Sequence, residues 1–127
     1  TCQGTPKNKQ SEIILSIADK KDPKKISQSI TNYKVYKTKN NLSNLIFSPQ
    51  TGKTHQIRIV AKHLGCPIVG DTKYNVQKKY NFEKLKLNAH FLNFTFNAKE
   101  FEFISILPDH FKDFLKKNDL KKIILKN

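Results

Sequence analysis

The stretch QTGKTHQIR, residues 50–58, gathers Lys53, His55 and Arg58 around two threonine hydroxyls and Gln56, with no acid among them. Helix starts normally favour Asp or Glu against their positive end, so three cations there are unusual. Cations beside free backbone N–H groups suit a bound phosphate or carboxylate. If a helix begins at this point, His55, Arg58 and Lys62 fall at i, i+3 and i+7 and share one polar face. An exposed basic helix face is the plain alternative. Arg58 tips the balance, because it is the only arginine and the other twenty-three basic side chains are lysine. A planar guanidinium grips a carboxylate through two parallel hydrogen bonds, which an ammonium cannot do. A lone arginine in a lysine-saturated chain fits a site that needs that fork.

The TGKT at residues 51–54 also looks like half of a nucleotide-phosphate loop. Such a loop requires a first glycine five residues before the second, and Phe47 stands there inside a predicted strand. No later strand ends in a clear magnesium-binding aspartate. Nucleotide hydrolysis is therefore set aside.

The elements that must position these residues read mainly as strands. Residues 12–17 form a short apolar run. Residues 30–37 alternate, with Thr31, Tyr33 and Val35 on one face, and pair through a turn at 38–41 with a strand at 42–48. Thr54 is the expected N-cap of a helix whose apolar stripe is Ile57, Val60, Ala61 and Leu64; Gly65-Cys66-Pro67 stops it. Residues 85–96 and 101–107 predict a second hairpin, Pro108-Asp109 opens a final helix, and Ile123–Leu125 closes the chain with an apolar patch. This order predicts one α+β domain over residues 1–127, mainly an antiparallel sheet with a motif helix and a C-terminal helix.

A net charge of +14 and a pI near 9.9 point to a polyanionic partner, nucleic acid above all. Coding drift that favours lysine would instead spread the same charge over a solvated surface. Only residues 110–126 could supply a basic amphipathic membrane helix, and no apolar run approaches the ~20 residues of a bilayer span. Nothing at the N-terminus resembles an export signal. Cys2 and Cys66 lack metal-ligand spacing and read as free cytosolic thiols.

SPQTGKTHQIRIVAKHLGCPIVGDTKYN, residues 48–75, resembles the signature of RluA-type pseudouridine synthases, roughly P-x-T-G-R-T-H-Q-I-R-V-H-x-x-x-x-G-x-P-I-x-G-D-x-x-Y. Leu87-Asn88-Ala89 is similar to a later L-H-A element of the family, and Ile106-Leu107-Pro108 precedes the last helix as it does there. The GDTKYN ending is most similar to the RluC branch. Lys53 stands where arginine is usual, and Val60 and Asn88 stand where histidine is common.

The resemblance implies isomerisation of uridine to pseudouridine in large-subunit ribosomal RNA, in the cytoplasm and without a metal or organic cofactor. The nucleophile is an aspartate in an H-R-L-D motif, and Arg58 corresponds to its salt-bridge partner. Lys53, Thr54, His55, Gln56 and Leu87 correspond to substrate-binding positions, Leu87 packing on the flipped base. Asp71 belongs to the pattern beside the nucleophile and reads as a turn aspartate that caps local backbone. H-R-L-D and the family's upstream tyrosine motif occur nowhere in these 127 residues.

The expectation is thus the C-terminal portion of a catalytic domain, inactive alone, whose partners are ribosomal RNA and the missing N-terminal half. Half a sheet would also expose the face meant for that half and would be marginally stable or associate. The alternatives are an inactive remnant that still binds RNA, or a small basic ribosome-associated RNA-binding protein.

Overall fold

The computed structural model describes residues 1–19, 21–75, 78–80 and 82–120. Strands β1 (Cys2–Gln3), β2 (Gln10–Ala18), β3 (Ile26–Lys39) and β4 (Leu42–Pro49) form one antiparallel sheet in the order β1-β4-β3-β2. β3 and β4 join through Asn40-Asn41, both at positive φ (52° and 61°), tighter than the four-residue turn expected. Asparagine tolerates that left-handed geometry, and its twist matches the flanking strands. The alternation in β3 holds: Thr31 and Tyr33 are buried and Val35 is half-buried on the same face.

Helix α1 (Gln56–His63) follows, then a loop, then strands β5 (Phe91–Phe96) and β6 (Lys99–Ile104) as a separate two-stranded sheet, and helix α2 (Asp109–Lys117). The architecture is the expected α+β fold. One core cluster packs Val60's neighbour Ala61 and the α1 side chain Ile57 against Tyr33, Leu45, Cys2, Cys66 and Ile68. A second gathers Phe111, Phe114 and Leu115 of α2 with Leu42, Val69 and Leu120. Both thiols are buried in the first cluster, and burial pushes the Cys2 thiol up to about 11, so these cysteines pack rather than react.

One segment departs from expectation. Residues 85–90 do not extend β5, because the Lys86 N–H bonds the Val69 carbonyl at 2.9 Å and Asn88 Nδ2 bonds Ser105 Oγ at 2.9 Å. The first bond holds the segment against the loop after α1, and the second ties it, side chain to side chain, to the residue that follows β6. The expected apolar patch at Ile123–Leu125 lies outside the described residues.

Candidate functional site

The loop before α1 is fastened from beneath by one amide. Gln56 is buried; its Nε2 donates to the Ile30 carbonyl at 3.1 Å and to Thr31 Oγ1 at 2.8 Å. Its Oε1 accepts from Thr51 Oγ1 at 2.7 Å and from the Lys53 N–H at 3.0 Å. All four amide bonds are thus made within the fold, and Gln56 holds the loop to β3 while leaving no amide atom for a ligand.

This arrangement changes how the helix begins. Thr54 is not the cap. His55 precedes the helix in a left-handed conformation (φ 55°), with no side-chain cap bond, and the chain enters α1 through a turn closed by Gln56 N–H to Lys53 O at 3.1 Å. Gln56 fixes the turn ahead of the helix by accepting the Lys53 N–H, and no side chain caps the first turn of α1. Since His55 lies ahead of α1, it does not continue the helical face of Arg58 and Lys62. The His55 ring turns instead to Tyr74, its Nδ1 lying 3.0 Å from the Tyr74 hydroxyl.

Arg58 finds a carboxylate inside the chain. Its Nε donates to Asp71 Oδ2 at 2.9 Å and its Nη2 to Oδ1 at 2.8 Å, a parallel bidentate pair. The sequence reading of Asp71 as a local cap is half right, because Oδ1 also accepts the Lys73 and Tyr74 N–H groups, each at 3.0 Å. The other half needed correction: the guanidinium fork does not wait empty for a partner outside these residues. Burial alone would raise the Asp71 pKa, but the Arg58 hydrogen bond, the Tyr74 N–H, the Arg58 charge and the Lys73 N–H outweigh it and hold the carboxyl below its usual range. The Asp71 side chain is fully buried and that of Arg58 is 20% exposed, and the Asp71 pair engages Nε and Nη2 of the guanidinium and not Nη1. The Tyr74 ring lies 5.1 Å beneath the guanidinium carbon and orients it further.

Above this assembly is an open cleft of about 270 Å³, lined by Lys53, His55, Gln56, Arg58 and Leu87 together with Pro49, Thr51, Gly52 and Ile57. Five of the six residues expected at the site are therefore neighbours, and Leu87 comes to them across 29 residues of chain (87 − 58). Thr54 is exposed on the same loop and does not line the cleft. Sequence reasoning missed Tyr74, whose signal was present: an aromatic three residues after the motif aspartate, within reach of the helix start. Among the described residues no cluster of histidine, cysteine and acidic side chains could hold a metal ion.

The antiparallel sheet with its two helices is the fold of pseudouridylate synthase domains. The chain superposes on human RNA pseudouridylate synthase domain containing 4 with a TM-score of 0.83 at 20% identity, covering 95% of this chain and 60% of that one. The corresponding values for human RNA pseudouridylate synthase domain containing 1 are 0.71 and 22%, covering 84% and 52%. In sequence, the chain is 42% identical over 89 residues to ribosomal large subunit pseudouridine synthase C of Rickettsia felis, covering 67% of this chain and 29% of that protein. It is 37% identical over 112 residues to the protein of that name from Buchnera aphidicola subsp. Baizongia pistaciae, covering 81% and 34%. The chain belongs to the RluA-type pseudouridine synthase family and is similar to its RluC branch. It spans about a third of the length of these curated relatives. No family model matches it.

Proposed function

We propose that this chain is the C-terminal portion of the catalytic domain of a cytoplasmic pseudouridine synthase acting on large-subunit ribosomal RNA. The supporting observation is the cleft that gathers Arg58, Lys53, His55 and Leu87. In the reaction the C1′–N1 bond of uridine breaks, a C1′–C5 bond forms, C5 loses its proton and N1 gains one. No electron acceptor or metal is required. Arg58, clamped on one edge by Asp71, offers Nη1 to the carboxylate of an aspartate supplied by another segment, keeping it ionised and oriented as nucleophile. Leu87 gives a flipped base an apolar wall, and Lys53 with His55 attracts the flanking phosphates. Thr54 and Gln56 act indirectly, as part of the loop and as its fastening.

The family's nucleophile motif is absent from these 127 residues, so the chain alone should not catalyse. Incubation with RNA labelled with tritium at C5 of uridine should release no tritium. Joined to an upstream segment carrying H-R-L-D, the chain should release it. Release by the chain alone would place the nucleophile within these residues and sink the reading.

A second reading is favoured by the net charge of +14: a remnant that binds RNA without modifying it. It predicts salt-sensitive RNA binding with no activity in any assembly.

A further inference from the structure

Leu87 reaches the cleft from an irregular segment, and what fixes that segment is a buried lysine next to it. The Lys86 side chain is fully buried. Its ammonium has three N–H groups and meets three acceptors: the Lys84 carbonyl at 2.8 Å, His110 Nδ1 at 3.0 Å and Glu83 Oε2 at 3.2 Å. The Phe114 ring lies 5.3 Å from the same nitrogen. The Lys86 backbone is equally engaged, its N–H on the Val69 carbonyl and its carbonyl accepting from the Thr1 nitrogen at 2.8 Å. The segment lies flat on Gly70, where an added Cβ would come within 2.4 Å of the Lys84 oxygen. One knot of contacts therefore ties α2, through His110 and Phe114, to the strip 83–87 and to the Val69–Asp71 turn that clamps Arg58.

We propose that Lys86 is a positioning residue for the Leu87 wall of the cleft, and that its bond to His110 makes this lock acid-sensitive. A charged ammonium can donate to Nδ1 only if that nitrogen carries no proton, so His110 must be neutral with its proton on Nε2. Protonation removes the acceptor and sets two cations 3.0 Å apart around a buried site. Burial, then the Lys86 and Lys84 charges, oppose that protonation, and Glu83 favours it; the net direction is downward from the ordinary histidine value. On its own helix His110 is flanked in sequence by Asp109, with Asp113 one turn on, and its packing neighbour Phe111 is uncharged.

The sign follows from linkage. The unfolded chain binds this proton more readily, so the stability contributed by the lock is complete above the unfolded value of about 6.5 and is lost as pH falls through the lower folded value. Asp71, whose carboxyl sits below its usual range, is lost only at still lower pH and does not confuse the window.

The proposal rests on the reading of Leu87 as a cleft residue but is tested without catalysis. In the 127-residue chain, nitrogen NMR of His110 at neutral pH should show a bare Nδ1 and a protonated Nε2, with a titration midpoint below that of free histidine. The Leu87 methyl resonances should shift with the same midpoint, and Tm should drop by on the order of 5 °C across it. His110→Asn, which keeps an acceptor near Nδ1 but cannot titrate, should abolish both the methyl shift and the drop. A protonated Nδ1 at neutral pH, a midpoint at or above that of free histidine, or Leu87 resonances blind to the titration would overturn the proposal. Loss of synthase activity in an assembled enzyme with an intact lock would instead count against the proposed function.

Discussion

At the scale of single residues, the question is why one guanidinium stands where every other basic side chain is an ammonium. The Nε–Nη2 edge of Arg58 is matched to both oxygens of Asp71, and lysine could reach one of them at most. Breaking such a pair leaves a fully buried carboxylate held only by the Lys73 and Tyr74 N–H groups, at a cost of up to about 3–5 kcal/mol. In an assembled enzyme, Arg58→Lys should therefore lower both Tm and kcat, with kcat falling by at least roughly a hundredfold if Nη1 also orients the nucleophile. Lys62→Ala, exposed and outside the cleft, should change either little. Equal losses in a tritium-release assay would mean that the forked geometry is irrelevant. That Arg58 would bind a carboxylate was legible from its type. That the first carboxylate is Asp71 was not, because the pairing depends on how the chain between two residues 13 apart in sequence closes a loop.

Elements were legible where one face dominates. The core-facing alternation of Thr31, Tyr33 and Val35 and the apolar stripe Val60–Ala61 both survive in the structure. Boundaries set by tertiary bonds were not legible: residues 85–90 carry a strand-like pattern, yet the partner of Lys86 is Val69 rather than a neighbouring strand. The helix start misled for a related reason, since the bonds of a buried glutamine to Thr51 and Lys53 set the turn and the helix begins at Gln56 without a side-chain cap. Among the glycines the most crowded is Gly70, where φ is +83° and the Lys84 carbonyl oxygen lies 2.4 Å from where a Cβ would stand. Gly70→Ala should destabilise by about 2–4 kcal/mol, from left-handed strain plus the displaced strip. Gly52→Ala meets nothing within 4 Å and should be neutral or slightly stabilising. Urea unfolding of the two variants tests the contrast, and a mild effect at Gly70 would show that the strip yields easily.

At the scale of the whole molecule, two surfaces of the described residues stand open. β2 is an outer strand paired only with β3 among the described residues, which leaves a nine-residue edge. The β5–β6 hairpin places Leu92 opposite Phe103, Phe94 opposite Phe101 and Phe96 opposite Lys99, and Leu92, Phe94, Phe96 and Phe103 are exposed. Phe94 stacks on Phe101 at 5.2 Å, so the rings form a continuous apolar sheet face. Such surfaces associate unless covered. Sedimentation of the isolated chain should show concentration-dependent association that Phe96→Lys and Leu92→Lys reduce. A strictly monomeric chain at tens of micromolar would show these faces to be harmless as they stand.

The buried amide of Gln56 bears on the RNA encounter that the proposed function implies. Its four bonds shape residues 51–56 before any ligand arrives. Ordering a loop costs about 1–2 kcal/mol per residue in backbone entropy, and here that cost falls within folding rather than recognition. On the proposed function, the cation-bearing loop would meet RNA as a preformed template, and the nucleic acid would be the partner that must bend.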